Sequence, residues 1–211
     1  MDSLTMRPEA IEAESFRIID DEAGAHDWPE PEWQVVRRAI HTSADFDYSR
    51  TMVFSEQAVE RAVAAIRSGA AIVTDTTMAL SGISKPRLAP FGCTLSCRVA
   101  DPDVAEQAQR EGITRSIAAM RKAVAATPRA IFVIGNAPTA LFELLRLINE
   151  GQAEPLLIIG LPVGFVGAEE SKSALAALAA PVPFITNRGR KGGSNVAAAV
   201  VNALAILVGR D

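Results

Sequence analysis

With 211 residues, 49% of them hydrophobic and 22% charged, the chain is large enough to bury a sizeable core as one globular domain. A formal net charge of −4 leaves no surplus of cations to neutralise a phosphate backbone, which excludes a general nucleic-acid binder. The acidic start lacks the apolar centre of a signal peptide, and no apolar run reaches the roughly 20 residues that span a bilayer, so a cytoplasmic protein without a membrane partner is expected.

Residues 8–22 place Ile11, Ser15, Ile18 and Ile19 at helical spacing, and an acidic, Pro-rich loop follows over 23–31. Residues 1–31 thus form an N-terminal helix and loop ahead of an α/β core over 32–211, all within one domain. The next helix carries His41, one of two histidines; the other, His26, lies in the Trp- and Pro-rich loop. On this helix Val36, Ile40 and Ala44 form an apolar stripe at spacing four. Arg37, His41 and Asp45 form the stripe beside it, with Arg38 three residues before the imidazole. A carboxylate one turn away orients the ring and favours its protonated form, while a nearby arginine opposes protonation. Two readings fit: a proton-transfer group set between opposite charges, or a solvated charged face with one incidental histidine.

Residues 55–68 give a further helical pattern, with Ser55 as N-cap and Gly69 as its stop. From there apolar runs at 71–74, 94–99, 130–134, 156–159 and 182–186 read as strands, and 114–126, 138–150, 168–179 and 195–208 read as helices. The last three strands are almost continuously apolar, as in parallel strands covered on both faces. The alternation predicts a three-layer α/β/α fold with a mostly parallel five-stranded sheet and right-handed crossovers. Cys93 and Cys97 would share one face of a strand, too far apart for a relaxed disulfide. No second ligand pair accompanies them, so two ordinary thiols and no metal site are expected.

In a parallel sheet the strand-to-helix loops emerge at the C-terminal edge, where open α/β folds bind ligands. Three such loops are Gly-rich. Gly135-Asn136-Ala137-Pro138-Thr139 offers Asn136 as a helix cap and sets Pro138 in the first turn. Gly160-Leu161-Pro162-Val163-Gly164-Phe165-Val166-Gly167 leads into Glu169-Glu170-Ser171-Lys172, and Asn187-Arg188-Gly189-Arg190-Lys191-Gly192-Gly193-Ser194 opens the last helix. None is a phosphate motif: Ser171-Lys172-Ser173 lacks the glycine before lysine, and no strand is followed by Gly-x-Gly-x-x-Gly. Singly, the glycines fit turn formers and the basic loop fits a solvated one. Together, Arg115, Lys172, Arg188, Arg190 and Lys191 can surround a ligand bearing several carboxylates, aided by free N–H groups at helix N-termini. The residue types present point to one proton transfer in a pocket, with binding and orientation supplying the rest.

Five segments carry a resemblance: Arg38-Ala39-Ile40-His41-Thr42-Ser43-Ala44-Asp45-Phe46, Gly135-Asn136-Ala137-Pro138-Thr139-Ala140-Leu141-Phe142, Pro162-Val163-Gly164-Phe165-Val166-Gly167-Ala168, Glu170-Ser171-Lys172 and Arg188-Gly189-Arg190-Lys191-Gly192-Gly193-Ser194. They resemble the precorrin-8X methylmutase family of cobalamin biosynthesis, and the similarity runs over nearly the whole chain. It implies a homodimeric α/β protein that needs no cofactor. It implies movement of a methyl group from ring carbon 11 to ring carbon 12 of a tetrapyrrole, precorrin-8X or cobalt-precorrin-8, giving hydrogenobyrinate or cobyrinate.

The same resemblance implies that His41 is the proton donor and acceptor and that Ser15 and Arg38 touch substrate. It assigns the pocket walls to Arg115, Ser116, Asn136, Thr139, Gly164, Phe165, Ser171, Lys172 and Arg190. The expected step is a 1,5-sigmatropic methyl shift in which proton transfer at His41 adjusts the conjugated system. The segment after His41 resembles the cobalt-using branch more than the metal-free one, and any cobalt would arrive inside the substrate. The alternative expectation is a non-catalytic corrinoid carrier, with the same pocket and no need of His41.

Overall fold

A computed structural model describes residues 7–179 and 181–209. The chain opens with α1 (Pro8–Ala23) and α2 (Glu30–Ser43), two helices that pack on each other. A short α3 (Tyr48–Thr51) runs straight into β1 (Met52–Phe54), and α4 (Ala58–Arg67) follows. Next come β2 (Ala71–Thr74), the short α5 (Thr77–Gly82) and α6 (Lys85–Leu88), β3 (Thr94–Cys97) and α7 (Pro102–Glu111). The remainder alternates: α8 (Arg115–Ala126), β4 (Ile131–Ile134), α9 (Pro138–Asn149), β5 (Leu157–Gly160), α10 (Ala168–Ala176), β6 (Phe184–Asn187) and α11 (Ser194–Val208).

The sheet has six strands, not the five predicted from the sequence, in the order β1-β6-β5-β4-β2-β3. The additional strand is β1, which pairs antiparallel with β6 through Met52–Asn187, Val53–Thr186 and Phe54–Ile185; the other pairs are parallel. Its three residues are too few to show a period, and it covers an edge that β6 would otherwise expose. Ser55, predicted to cap α4, instead accepts a hydrogen bond on its hydroxyl from the Phe184 N–H at 2.9 Å and so extends this pairing. The residue before α4 is Gln57, in the left-handed region at φ 57° and without a side-chain cap.

The expected three-layer arrangement follows from how the strands divide their side chains. Ile131 and Val133 of β4 point into one core and Phe132 and Ile134 into the other, and all four are buried. The first core joins the sheet to α2, α4 and α11, and the second joins it to α8, α9 and α10. Helix α11 packs on β4 and β5 and also on α2, α4 and α5, which explains why its sequence is apolar almost all round. The helix bearing His41 therefore sits outside α11, in an outer layer with α1.

Chain order reverses direction between β2 and β4, so the switch point of this sheet lies outside the C-terminal ends of those two strands. Among the described residues no helix is long and apolar enough to cross a membrane.

Candidate active site

The first cluster lies on α1 and α2. His41 is exposed near the end of α2, where the helix dipole favours a cation. Its ring centroid is 5.1 Å from that of Phe16 on α1. The guanidinium carbons of Arg37 and Arg38 lie 4.5 and 4.7 Å from the same ring centroid, so one aromatic ring holds two cations beside the imidazole. Helix α1 also supplies the counter-charges: Arg37 pairs with Asp20 at 2.6 Å, and Arg38 with Glu12 at 2.5 Å. Ser15, half-buried beside Phe16, donates its hydroxyl to the Ile11 carbonyl at 2.8 Å.

The predicted stripe of Arg37, His41 and Asp45 does not form, because α2 stops at Ser43. Ala44 takes a left-handed φ of 52° and donates its N–H to the Ile40 carbonyl. The turn carries Asp45 off the helix face, and its carboxylate accepts from the Lys191 ammonium at 2.5 Å, as Asp47 does at 2.6 Å. The carboxylates that meet the arginines beside His41 are instead Asp20 and Glu12, both on α1. Glu12, Ser15, Phe16 and Ile19 follow i, i+3, i+4, i+7 spacing, the signal in the sequence that places them on one face of α1.

The second cluster is the C-terminal edge of the sheet. Asn136 is exposed but does not cap α9. Asp75, the residue after β2, instead holds the loop ahead of that helix: its carboxylate accepts from the backbone N–H groups of Gly135 at 3.0 Å, Asn136 at 2.9 Å and Ala137 at 2.8 Å. Asp75 is only 4% exposed. Burial pushes its carboxyl up from the usual carboxylate range, against the downward pull of the three N–H donors. The carboxylate thus occupies the anion position at the switch point. Gly135 is required there, since a Cβ would stand 2.7 Å from the Ser194 Cα at the start of α11.

Thr139, in the first turn of α9, shares a hydrogen bond of 3.1 Å with Thr114, which caps α8 through the Ile117 N–H. That contact brings exposed Arg115 and half-buried Ser116 to the start of α9. On the other side Gly164 donates its N–H to the Arg190 carbonyl at 3.3 Å, and the Arg190 guanidinium lies 5.8 Å from the Phe165 ring centroid. Phe165 is 86% exposed and Val166 89%, an apolar tip on an otherwise polar rim.

Ser171 and Lys172 face inward. Ser171 donates to the Ala168 carbonyl at 2.9 Å. Lys172 is 2% exposed and donates to the Lys191 carbonyl at 2.6 Å and to Asn187 Oδ1 at 3.2 Å, which fastens the β6–α11 loop from below. Burial lowers the Lys172 ammonium to about 8. The two clusters are joined by Lys191, whose link to Asp45 and Asp47 ties the end of the His41 helix to the basic loop. These two carboxylates raise the Lys191 ammonium to about 12. Among the described residues no group of three or more His, Cys, Asp or Glu is arranged to hold a metal ion.

Comparison with known proteins matches residues 10–207 to the model of a family described as precorrin-8X methylmutase. The chain is 50% identical over 204 residues to the cobalt-precorrin-8 methylmutase of Priestia megaterium, covering 97% of this chain and 90% of that protein. It is 48% identical to the cobalt-precorrin-8 methylmutase of Salmonella typhimurium, covering 94% of each. Its fold is similar to that of the precorrin-8x methyl mutase of Thermus thermophilus, with a TM-score of 0.86 and 43% identity over 95% of this chain and 98% of that one.

Replacing Asp75 by Ala leaves three N–H groups without their acceptor in a buried setting. The expected loss is about 3 kcal/mol of stability, read as a fall of roughly 6–12 °C in Tm. For Lys172 the folded protein gives up its proton near pH 8, whereas the unfolded chain does so near its ordinary 10.5. Between those values the unfolded chain binds more protons, so this group's contribution to stability rises with pH, by up to roughly 3 kcal/mol. Urea unfolding near pH 8 and near pH 10 should show wild type gaining on Lys172→Met across that window; an unchanged gap would refute the assignment.

Proposed function

The chain belongs to the precorrin-8X methylmutase family, and from that premise we propose that His41 is the group that moves the proton while the substrate's own carbon skeleton rearranges. The protein is a methyl-shifting isomerase of cobalamin biosynthesis. In the reaction the bond from the methyl group to ring carbon 11 breaks as the bond to ring carbon 12 forms. No free methyl cation is released, and the π electrons of the macrocycle shift to match.

Substrate and product are isomers, so any proton given by His41 must be taken back within one turnover. The enzyme's task is to favour the tautomer from which migration is easy, and an imidazole titrates in the range where it can both give and accept. The observation that carries this reading is the placement of His41, exposed at the end of α2 against Phe16 and beside Arg37 and Arg38. Arg38, held by Glu12 through one of its nitrogens, then offers its remaining N–H groups to the substrate, and Ser15 is a polar contact next to it.

The edge residues suit the rest of such a ligand. Phe165 offers an apolar surface to the flat ring system, while Arg115 and Arg190 meet its carboxylate rim with Ser116, Asn136 and Thr139 between them. Ser171 and Lys172 shape this wall from beneath, through the loop they hold. The working form in this reading is a cytoplasmic homodimer without a cofactor of its own, and cobalt, where present, is part of the substrate. The exposure of Phe165 and Val166 is consistent with a face that something covers.

His41→Ala should lower turnover by a factor of about 10²–10⁴, the usual weight of a general acid–base group, and still bind the corrinoid product tightly. Following the visible spectrum during conversion measures the first, and a titration of the product the second. Wild-type turnover in that variant would dismiss His41. The relatives at 50% and 48% identity bear the cobalt-precorrin-8 name, so the cobalt complex is expected to give the higher kcat/KM when both forms are supplied.

A further inference from the structure

The arginines beside His41 pose an electrostatic problem. Arg37 and Arg38 both stand on the Phe16 ring that the imidazole also touches, and two cations at that range oppose a third. Arg37 is balanced by Asp20. Asp45, the carboxylate on the same stretch of chain, is spent on Lys191. That leaves Glu12, which reaches across from α1 to Arg38 at 2.5 Å.

We propose that Glu12 is a positioning residue for His41: its carboxylate fixes and neutralises Arg38, and so keeps the field at the imidazole open to a proton. The inference rests on the reading of His41 as the proton-transfer group. Among the described residues, the charged groups set around the site include Arg37 and Arg38 on α2, Glu12 and Asp20 on α1, and Arg87 on α6. In support, the Glu12 carboxyl is held below its ordinary range, first by the Arg38 hydrogen bond against partial burial, then by the charges of Arg38, His41 and Arg87.

The chain has only two histidines, so both can be followed by NMR in protein carrying 13C-labelled histidine. His26 stacks on Trp33 at 3.9 Å, away from Glu12, and serves as the internal control. In Glu12→Gln the His41 pKa should fall by about half a unit, about threefold in protonation constant, and the shift should shrink as salt is added. The His26 pKa should stay put.

Glu12→Asp, which keeps the charge, should hold His41 near its wild-type value. An unmoved or raised His41 pKa in Glu12→Gln overturns the proposal. So does an equal fall in Glu12→Asp, because the effect would then belong to helix docking rather than charge. The acid limb of the kcat/KM profile should move with the NMR value. If the NMR value moves and the rate profile does not, Glu12 retains this role and the assignment of proton transfer to His41 fails instead.

Discussion

The carboxylate of Asp75 sets what the C-terminal edge of this sheet can offer to a ligand. It lies at the switch point between β2 and β4, where a doubly wound sheet ordinarily presents backbone N–H groups to an anion. Here those donors, from Gly135, Asn136 and Ala137, are already satisfied by the protein itself. The N–H groups of this strand-to-helix loop are therefore already taken, and Arg115 and Arg190 stand along the edge as cationic side chains. Asn136 is left facing solvent with its amide uncommitted to capping. Neutral polar contact at the centre and guanidinium contact at the flanks is a division that suits a ligand with an apolar middle and a charged rim.

A second balance operates at the helix pair. The Phe16 ring gathers two guanidinium groups and an imidazole around itself, a concentration of cationic groups that Asp20 and Glu12 offset. Neither carboxylate comes from the helix that bears the histidine. The site's charge is assembled between two helices, while the rigid attachment of α2 to the molecule comes from α11 and from the Lys191 link to Asp45 and Asp47.

Much of the fold could be read from the sequence, for identifiable reasons. Strands β2, β4, β5 and β6 announce themselves because burial on two faces demands nearly continuous apolar runs, and Thr114 and Pro138 mark helix starts by their chemistry. β1 could not be seen, since a three-residue strand has no measurable period and its partner, β6, lies far along the chain. Helix α7 was hidden in a different way: it buries only Val104 and Ala108, a stripe too thin to register. At the site, the histidine, the arginines and the Gly-rich loops were legible. The departure of Asp45 from that helix face was not, because the residue that stops α2 in the left-handed region is Ala44, where glycine would have signalled the stop. Lys172 counted in the sequence among the cations set around a carboxylate-bearing ligand, and its burial depends on how α10 meets β6, which no local pattern encodes.

The Phe165–Val166 tip has a thermodynamic consequence. Two side chains this exposed order hydration water over most of their surface, and any apolar face that closes on them releases it. Burial of that kind lowers heat capacity, whether the closing face is a macrocycle or another protein surface. Association at this end of the sheet therefore becomes more exothermic with warming, at a slope set by how much of these two side chains is covered.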